Sequence, residues 1–147
     1  MAASLRIYLV GHKSSEERMH TFIQELQAIN PKAEVIWTKA EVALLAETKR
    51  VCKVIKSKES CVDLLFLTTG HAPFGPRRET AKSLEIAQSL EYYSRILFVL
   101  YILPLLNKAE VSKVVSVLMG ELEQKLNDSD DLDLKKPGNF NFIKAQT

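Results

Sequence analysis

The sequence predicts an α/β fold, a three-layer sandwich with a short, mainly parallel sheet of about four strands and helices on both faces. Two observations predict it. Short β-branched and aromatic runs alternate with longer segments whose apolar residues recur at helical spacing, in the order β-α-β-α-β-α-β. The run Cys61-Val62-Asp63-Leu64-Leu65-Phe66-Leu67-Thr68-Thr69 is almost continuously apolar, as strands inside a parallel sheet are.

Each element has its own signal. Arg6 to Val10 is a buried strand ending in Gly11. Ser14 and Glu17 have capping-box spacing, and Met19, Phe22, Ile23, Leu26 and Ile29 then form one helical stripe. Asn30-Pro31 ends that helix, because proline disfavours the α conformation in the residue before it. Ala33 to Thr38 is a strand. Val42 to Lys56 is a helix with Leu45, Val51, Cys52 and Ile55 turned inward. After the apolar strand, Gly70 to Arg78 is a Gly/Pro loop. A long helix runs from Thr80 to Leu106, charged at its start and apolar toward its end. Lys113 to Leu118 is the fourth strand. Gly120 to Asn139 is polar and irregular, and Asn141 to Thr147 begins a helix.

Composition bounds the function. A chain of 147 residues fits one domain, 1–147, and 46% apolar residues suffice for a core. A net charge of +2 with interleaved signs offers no basic stripe for nucleic acid and no polybasic membrane patch. The start, Met1 to Leu5, lacks the regions of a signal peptide. The longest apolar run, Ile96 to Leu106, is too short for about 30 Å of hydrocarbon and contains Pro104, so a buried helix is expected and no membrane partner. Cys52 and Cys61 form no framework, which suits free thiols and a cytoplasmic location.

Asp63 to Gly70, at the end of the third strand, resembles the short-chain dehydrogenase/reductase family, in which this strand ends in Asn-Asn-Ala-Gly. Tyr92-Tyr93-Ser94-Arg95, the run on to Leu106, and Val114-Val115-Ser116-Val117 are similar to a fungal secondary-metabolism branch. Ala40-Glu41-Val42 resembles the family's adenine-contacting Asp-Val. The resemblance implies a Rossmann-like plan of strand order 3-2-1-4-5-6-7, with a gap where the first strand belongs. Either strand 6–10 pairs with strand 62–67, or another chain fills that gap. It also implies truncation at both ends. The glycine-rich turn that holds a dinucleotide pyrophosphate does not occur in this sequence. The family's serine falls at Leu118-Met119-Gly120, and its Tyr-x-x-x-Lys becomes Phe140 to Lys144, where Phe140 has no hydroxyl. The helix asparagine falls near Glu91. His12 and Lys13 stand where the family often carries an arginine for a 2′-phosphate.

These departures lead to an expected cofactor-free cyclase or isomerase acting on a hydrophobic natural-product intermediate, with no cofactor and no metal. A reductase with altered NADP binding, or a non-catalytic partner of a pathway enzyme, are the alternatives. The candidate catalytic residues are His71, Glu91, Tyr92 and Tyr93: a histidine in the loop beyond a strand end, and a carboxylate beside two phenols. Thr69, Phe74, Arg95 and Met119 are candidate substrate contacts. Bland readings stand beside them: a solvated loop histidine, tyrosines packed in a core or interface, and a Glu91–Arg95 pair at i,i+4. Asp128 to Asp133 lacks the glycine and closing glutamate of a calcium loop, so a solvated acidic loop is expected. The helix 80–106 is apolar nearly all round, which predicts a homodimer through it.

Overall fold

A computed structural model describes residues 5–118 and 129–146. The fold is α/β with parallel strand pairs, as the sequence predicts. The chain divides into two compact units, Met1–Val42 and Ala43–Thr147.

In the first unit, β1 (Arg6–Gly11) leads through a 3-10 turn (Lys13–Ser15) into α1 (Glu16–Ile29) and then β2 (Glu34–Lys39). The strands are parallel, with Arg6 opposite Glu34 and Gly11 opposite Lys39. An exposed Arg6–Glu34 ion pair at 2.6 Å closes one end. The expected capping box does not form. The 3-10 turn intervenes, so Ser14 and Glu17 are not at the cap positions of α1. His12 caps that turn instead, its Nδ1 accepting from the Ser14 backbone at 3.2 Å. Of the α1 stripe, Met19, Ile23 and Leu26 are half-buried, while Phe22 and Ile29 are exposed. The helix stops at Asn30, before Pro31, as expected. Gly11 is required by packing: a Cβ there would stand 2.7 Å from the Trp37 indole.

In the second unit, α2 (Leu45–Lys58) starts three residues later than the sequence suggests. It buries Thr48, Val51 and Cys52 at i, i+3, i+4 spacing. β3 (Leu64–Leu67) pairs in parallel with β4 (Lys113–Ser116), from Leu64 opposite Lys113 to Leu67 opposite Ser116. Among the described residues the strands are ladder-paired as β1–β2 and as β3–β4. The run 61–69, read as an apolar strand typical of a sheet interior, is a strand over Leu64–Leu67. Leu65 and Leu67 turn inward, but Leu64 and Phe66 are more than half exposed.

The long helix also differs from expectation. Residues 79–85 form a tight turn closed by an antiparallel bridge between Glu79 and Glu85, with Ser83 at φ 59°. The helix begins only at α3 (Ile86–Gln88), where the buried Glu85 carboxylate accepts from the Gln88 N–H at 2.8 Å. A π-helical segment, Ser89–Tyr93, follows, and then α4 (Ser94–Leu106). Pro104 does not break the run. It lies in the last turn, where its missing N–H forfeits one bond to Leu100, on the exposed side of the helix. The continuous helix Ile86–Leu106 has 21 residues and is long and apolar enough to cross a membrane by length and composition. In the protein its α4 part packs on α2 and buries Phe98, Ile102, Leu105 and Leu106. Truncating a side chain as buried as Ile102 to Ala costs about 2–5 kcal/mol. The last element is α5 (Phe142–Gln146), where the Asn141 side chain accepts from Lys144 N at 3.0 Å.

Candidate functional site at the strand ends

The carboxyl ends of β3 and β4 meet the π segment. Parallel α/β sheets bind ligands at this end of their strands, where loops diverge and helix ends converge. The π segment is the local feature that shapes the site. Ser94 bonds back through its hydroxyl to the Leu90 carbonyl at 2.7 Å, a contact that bends helices. Thr69, just beyond β3, donates its own hydroxyl to the same carbonyl at 3.1 Å. The carbonyl inside the widened turn is therefore held by two side chains. Ser89, fully buried, anchors the other end of the segment by donating to the Ala43 carbonyl at 2.6 Å.

This anchoring sets Glu91. Its Oε1 accepts from the backbone N–H of His71 at 3.1 Å. The approach is close at Gly70, where a Cβ would come within 3.2 Å of the same oxygen. A carboxylate thus lies over the turn Thr69-Gly70-His71. Arg95, one helical turn on, points the same way but is almost fully buried. Its Nε and Nη2 donate to the Thr69 carbonyl, and its Nη1 donates to Ser116 Oγ at 2.8 Å and to the Val117 carbonyl at 2.6 Å. Burial pulls its pKa below the usual guanidinium value, and the Glu91 charge partly restores it.

Four of the predicted residues are brought together: Thr69, His71, Glu91 and Arg95. Arg95 is corrected from a substrate contact to a pin between strand ends, because its guanidinium donors are turned into the protein. Tyr92 and Tyr93 lie on the π segment in edge-to-face contact, with ring centroids 5.1 Å apart, and Tyr92 is exposed. His71 is exposed in its loop. Phe74 lies further along that loop, stacked on Phe142. Met119 lies outside the described residues. Sequence reasoning missed Ser89, Ser94, Ser116 and the Leu90 carbonyl. A serine four residues after a free helical carbonyl is a weak signal for the Ser94 bond; no periodicity announces a π turn.

Asp128 lies outside the described residues; from Ser129 on, the acidic segment is a loop with one buried carboxylate, Asp131. Asp131 accepts from the backbone N–H groups of Lys135 and Lys136 and from the Asn139 side chain. Those bonds, the Asn139 one foremost, hold its carboxyl below the usual range. A surface cavity of about 340 Å³ lies here, lined by Ser129, Asp130, Asp131 and Asp133, not at the strand ends. Among the described residues no group of three His, Cys, Asp or Glu is placed to hold a metal. The glycines at the two strand ends do not fit a diphosphate either. The Trp37 ring covers Gly11, and a carboxylate, repulsive to phosphate, covers Gly70.

No protein-family model matches the chain. It is 39% identical over 141 residues to an NmrA-like family domain-containing oxidoreductase of Aspergillus sp. (strain MF297-2), matching 96% of this chain and 42% of that protein. It is 35% identical over 144 residues to an oxidoreductase of Emericella nidulans, matching 98% of this chain and 42% of that one. A short-chain dehydrogenase/reductase of Stachybotrys chartarum is 32% identical over 140 residues, which are 88% of this chain and 39% of that protein. The chain thus spans about two fifths of the length of the curated relatives it matches. Among solved structures, one assigned as a 3-oxoacyl-reductase from Bacillus thuringiensis aligns with a TM-score of 0.57 at 10% identity, over 80% of this chain and 48% of that one, a likeness of fold. Along nearly its whole length the chain is similar in sequence to these fungal oxidoreductases.

Proposed function

We propose that this chain forms the substrate-holding, proton-handling face of an enzyme on the short-chain dehydrogenase plan. The reaction its own residues support best is a cofactor-free isomerisation or cyclisation of a hydrophobic natural-product intermediate. One observation carries the reading: the Glu91 carboxylate, set by the π segment, lies over Gly70 at the carboxyl end of a parallel strand. A carboxylate at such a place takes a proton from a carbon next to a carbonyl and returns it elsewhere on the same substrate. The exchange consumes no electrons. His71, whose backbone N–H meets the Glu91 carboxylate, and the adjacent phenols of Tyr92 and Tyr93 are the groups that can relay or donate that proton. Holding the substrate in a near-attack geometry supplies further acceleration. Because the Gly11 and Gly70 turns do not fit a diphosphate, no step is routed through a nicotinamide.

Incubation with conjugated polyketide or terpenoid ketones in D₂O tests this, with deuterium incorporation read by NMR. Glu91→Gln lowers the exchange rate on the order of 10²-fold or more. Exchange that is equally fast in Glu91→Gln overturns the assignment. A second reading, a nicotinamide-dependent reductase, is favoured by the naming of the relatives as oxidoreductases. Substrate-dependent consumption of NADPH, with no exchange in its absence, selects that reading.

We extend the proposal to assembly and place. Tyr92, Ile96, Leu100 and Leu103 make an exposed apolar stripe on the helical segment, spaced to face one side. A homodimer through this helix would cover it. Leu100→Lys then shifts the sedimentation of the protein from dimer to monomer, and wild-type protein that sediments as a monomer refutes the pairing. The two free thiols suit a reducing compartment such as the cytoplasm.

A further inference from the structure

Phe74 and Phe142 are 68 residues apart in sequence, yet their rings lie parallel, 2° between planes and 5.1 Å between centroids. Phe74 belongs to the loop that carries His71, three residues on. Phe142 opens α5. The stack is not a core contact: Phe74 is 79% exposed, so one ring face rests on Phe142 while the other meets water. A large aromatic held in place yet left this open costs the protein hydrophobic stabilisation that a buried ring would supply.

The loop is built to hold that pose. Pro73, immediately before Phe74, is buried and anchors the loop. The Phe74 N–H donates to the Ala72 carbonyl at 2.9 Å, closing a tight turn. Gly75 follows at φ 113°, a conformation that side chains rarely adopt, with open space around it. Downstream, Arg77 fixes the loop by donating to the Asp133 carbonyl at 3.0 Å and pairing with Glu79. The exposed ring is therefore fixed from both sides in sequence and backed by a second ring.

We propose that the Phe74–Phe142 pair is a stacking platform for a planar, conjugated and uncharged ring system, and that Phe142 is a specificity-determining residue through its hold on Phe74. An offset-stacked aromatic pair gains more than its area burial alone, so the platform selects flat aromatic ligands over puckered saturated ones. No cationic side chain is part of the stack, so its attraction does not require a charged ligand. The proposal rests on the strand-end reading of the site, since the same loop brings His71 to the ligand.

The test uses the full chain and two probes of matched size, 2-naphthol and decahydro-2-naphthol, titrated while NMR follows the ring protons of Phe74 and Phe142 and the amide of His71. 2-Naphthol moves all three sets of signals and binds several-fold more tightly than its saturated counterpart. Phe142→Leu keeps the loop apolar and weakens naphthol binding on the order of three- to ten-fold, with little change for the saturated probe. Phe74→Leu does the same, and thermal melting confirms that both variants fold. Equal affinity for the two probes, naphthol shifts confined to other residues, or unchanged affinity in a folded Phe142→Leu overturns the platform. Glu91→Gln separates the two proposals. It leaves naphthol binding intact if the platform stands, whatever its effect on proton exchange.

Discussion

Replacing Arg95 by Met is the sharpest probe of how this site is held. Methionine keeps much of the apolar stem and removes the guanidinium. Four donations are lost: two to the Thr69 carbonyl, one to Ser116 Oγ and one to the Val117 carbonyl. Hydrogen bonds from a charged donor contribute about 1.5–3 kcal/mol each, and a buried acceptor left alone costs about 1–3 kcal/mol. Burying the guanidinium is itself unfavourable, as its lowered pKa indicates, and this offsets part of the sum. Two carbonyls lose a principal partner while that burial cost disappears, which leaves a net loss of roughly 2–4 kcal/mol. For a chain of this size each kcal/mol moves the melting temperature by about 2–4 °C, so Arg95→Met melts about 4–16 °C lower. Arg95→Lys, which keeps charge but not the fork, falls between. Thermal unfolding followed by circular dichroism measures the shift, and amide exchange locates it: the protection of Val117, whose N–H bonds Leu67, drops first. A melting temperature within a degree or two of wild type, with the ends of β3 and β4 still protected, would refute the role of Arg95 as the pin.

Gly70→Ala brings a methyl to 3.2 Å from Glu91 Oε1, which forces the carboxylate to move by a few tenths of an ångström. The His71 amide signal then shifts while global stability changes by less than about 1 kcal/mol; an unmoved His71 resonance contradicts the close approach. Burial pushes the Cys52 thiol up to about 11. Folded protein at neutral pH therefore loses Cys61, and not Cys52, to iodoacetamide. The linked stability is fully present below the unfolded thiol's pKa and is lost as pH rises from about 9 toward about 11. Equal labelling of both cysteines in folded protein would contradict this burial. Asp131 has a depressed pKa, so its contribution is present above the unfolded value of about 4 and is lost as pH falls through the folded value. Asp131→Asn should flatten that acid limb in pH-dependent proteolysis of the 129–139 loop, and an identical acid profile would count against it.

The sequence by itself determined the class of fold and the place of most elements. Alternation between short β-branched runs and helical stripes is local, and it located β1, α1, β2, α2, β3 and β4 to within a few residues. Proline before a helix end acts locally too, and Pro31 behaved as read. The sequence also pointed to the strand-end turn, because Thr69, Gly70 and His71 follow an apolar strand.

Tertiary structure decided the rest. Burial of a strand depends on its neighbours, so the apolar run 61–69 could not reveal that β3 pairs with β4 and leaves Leu64 and Phe66 exposed. A π turn saves or costs little locally; bonds from Thr69 and Ser89, more than 20 and 40 residues from their acceptors, fix it here. Arg95 illustrates the same limit. Its charge and helical spacing suit a ligand contact or an i,i+4 pair, yet carbonyls brought together only by folding make it a pin. Composition names the groups that can do chemistry, whereas long-range contacts choose which of them face one another.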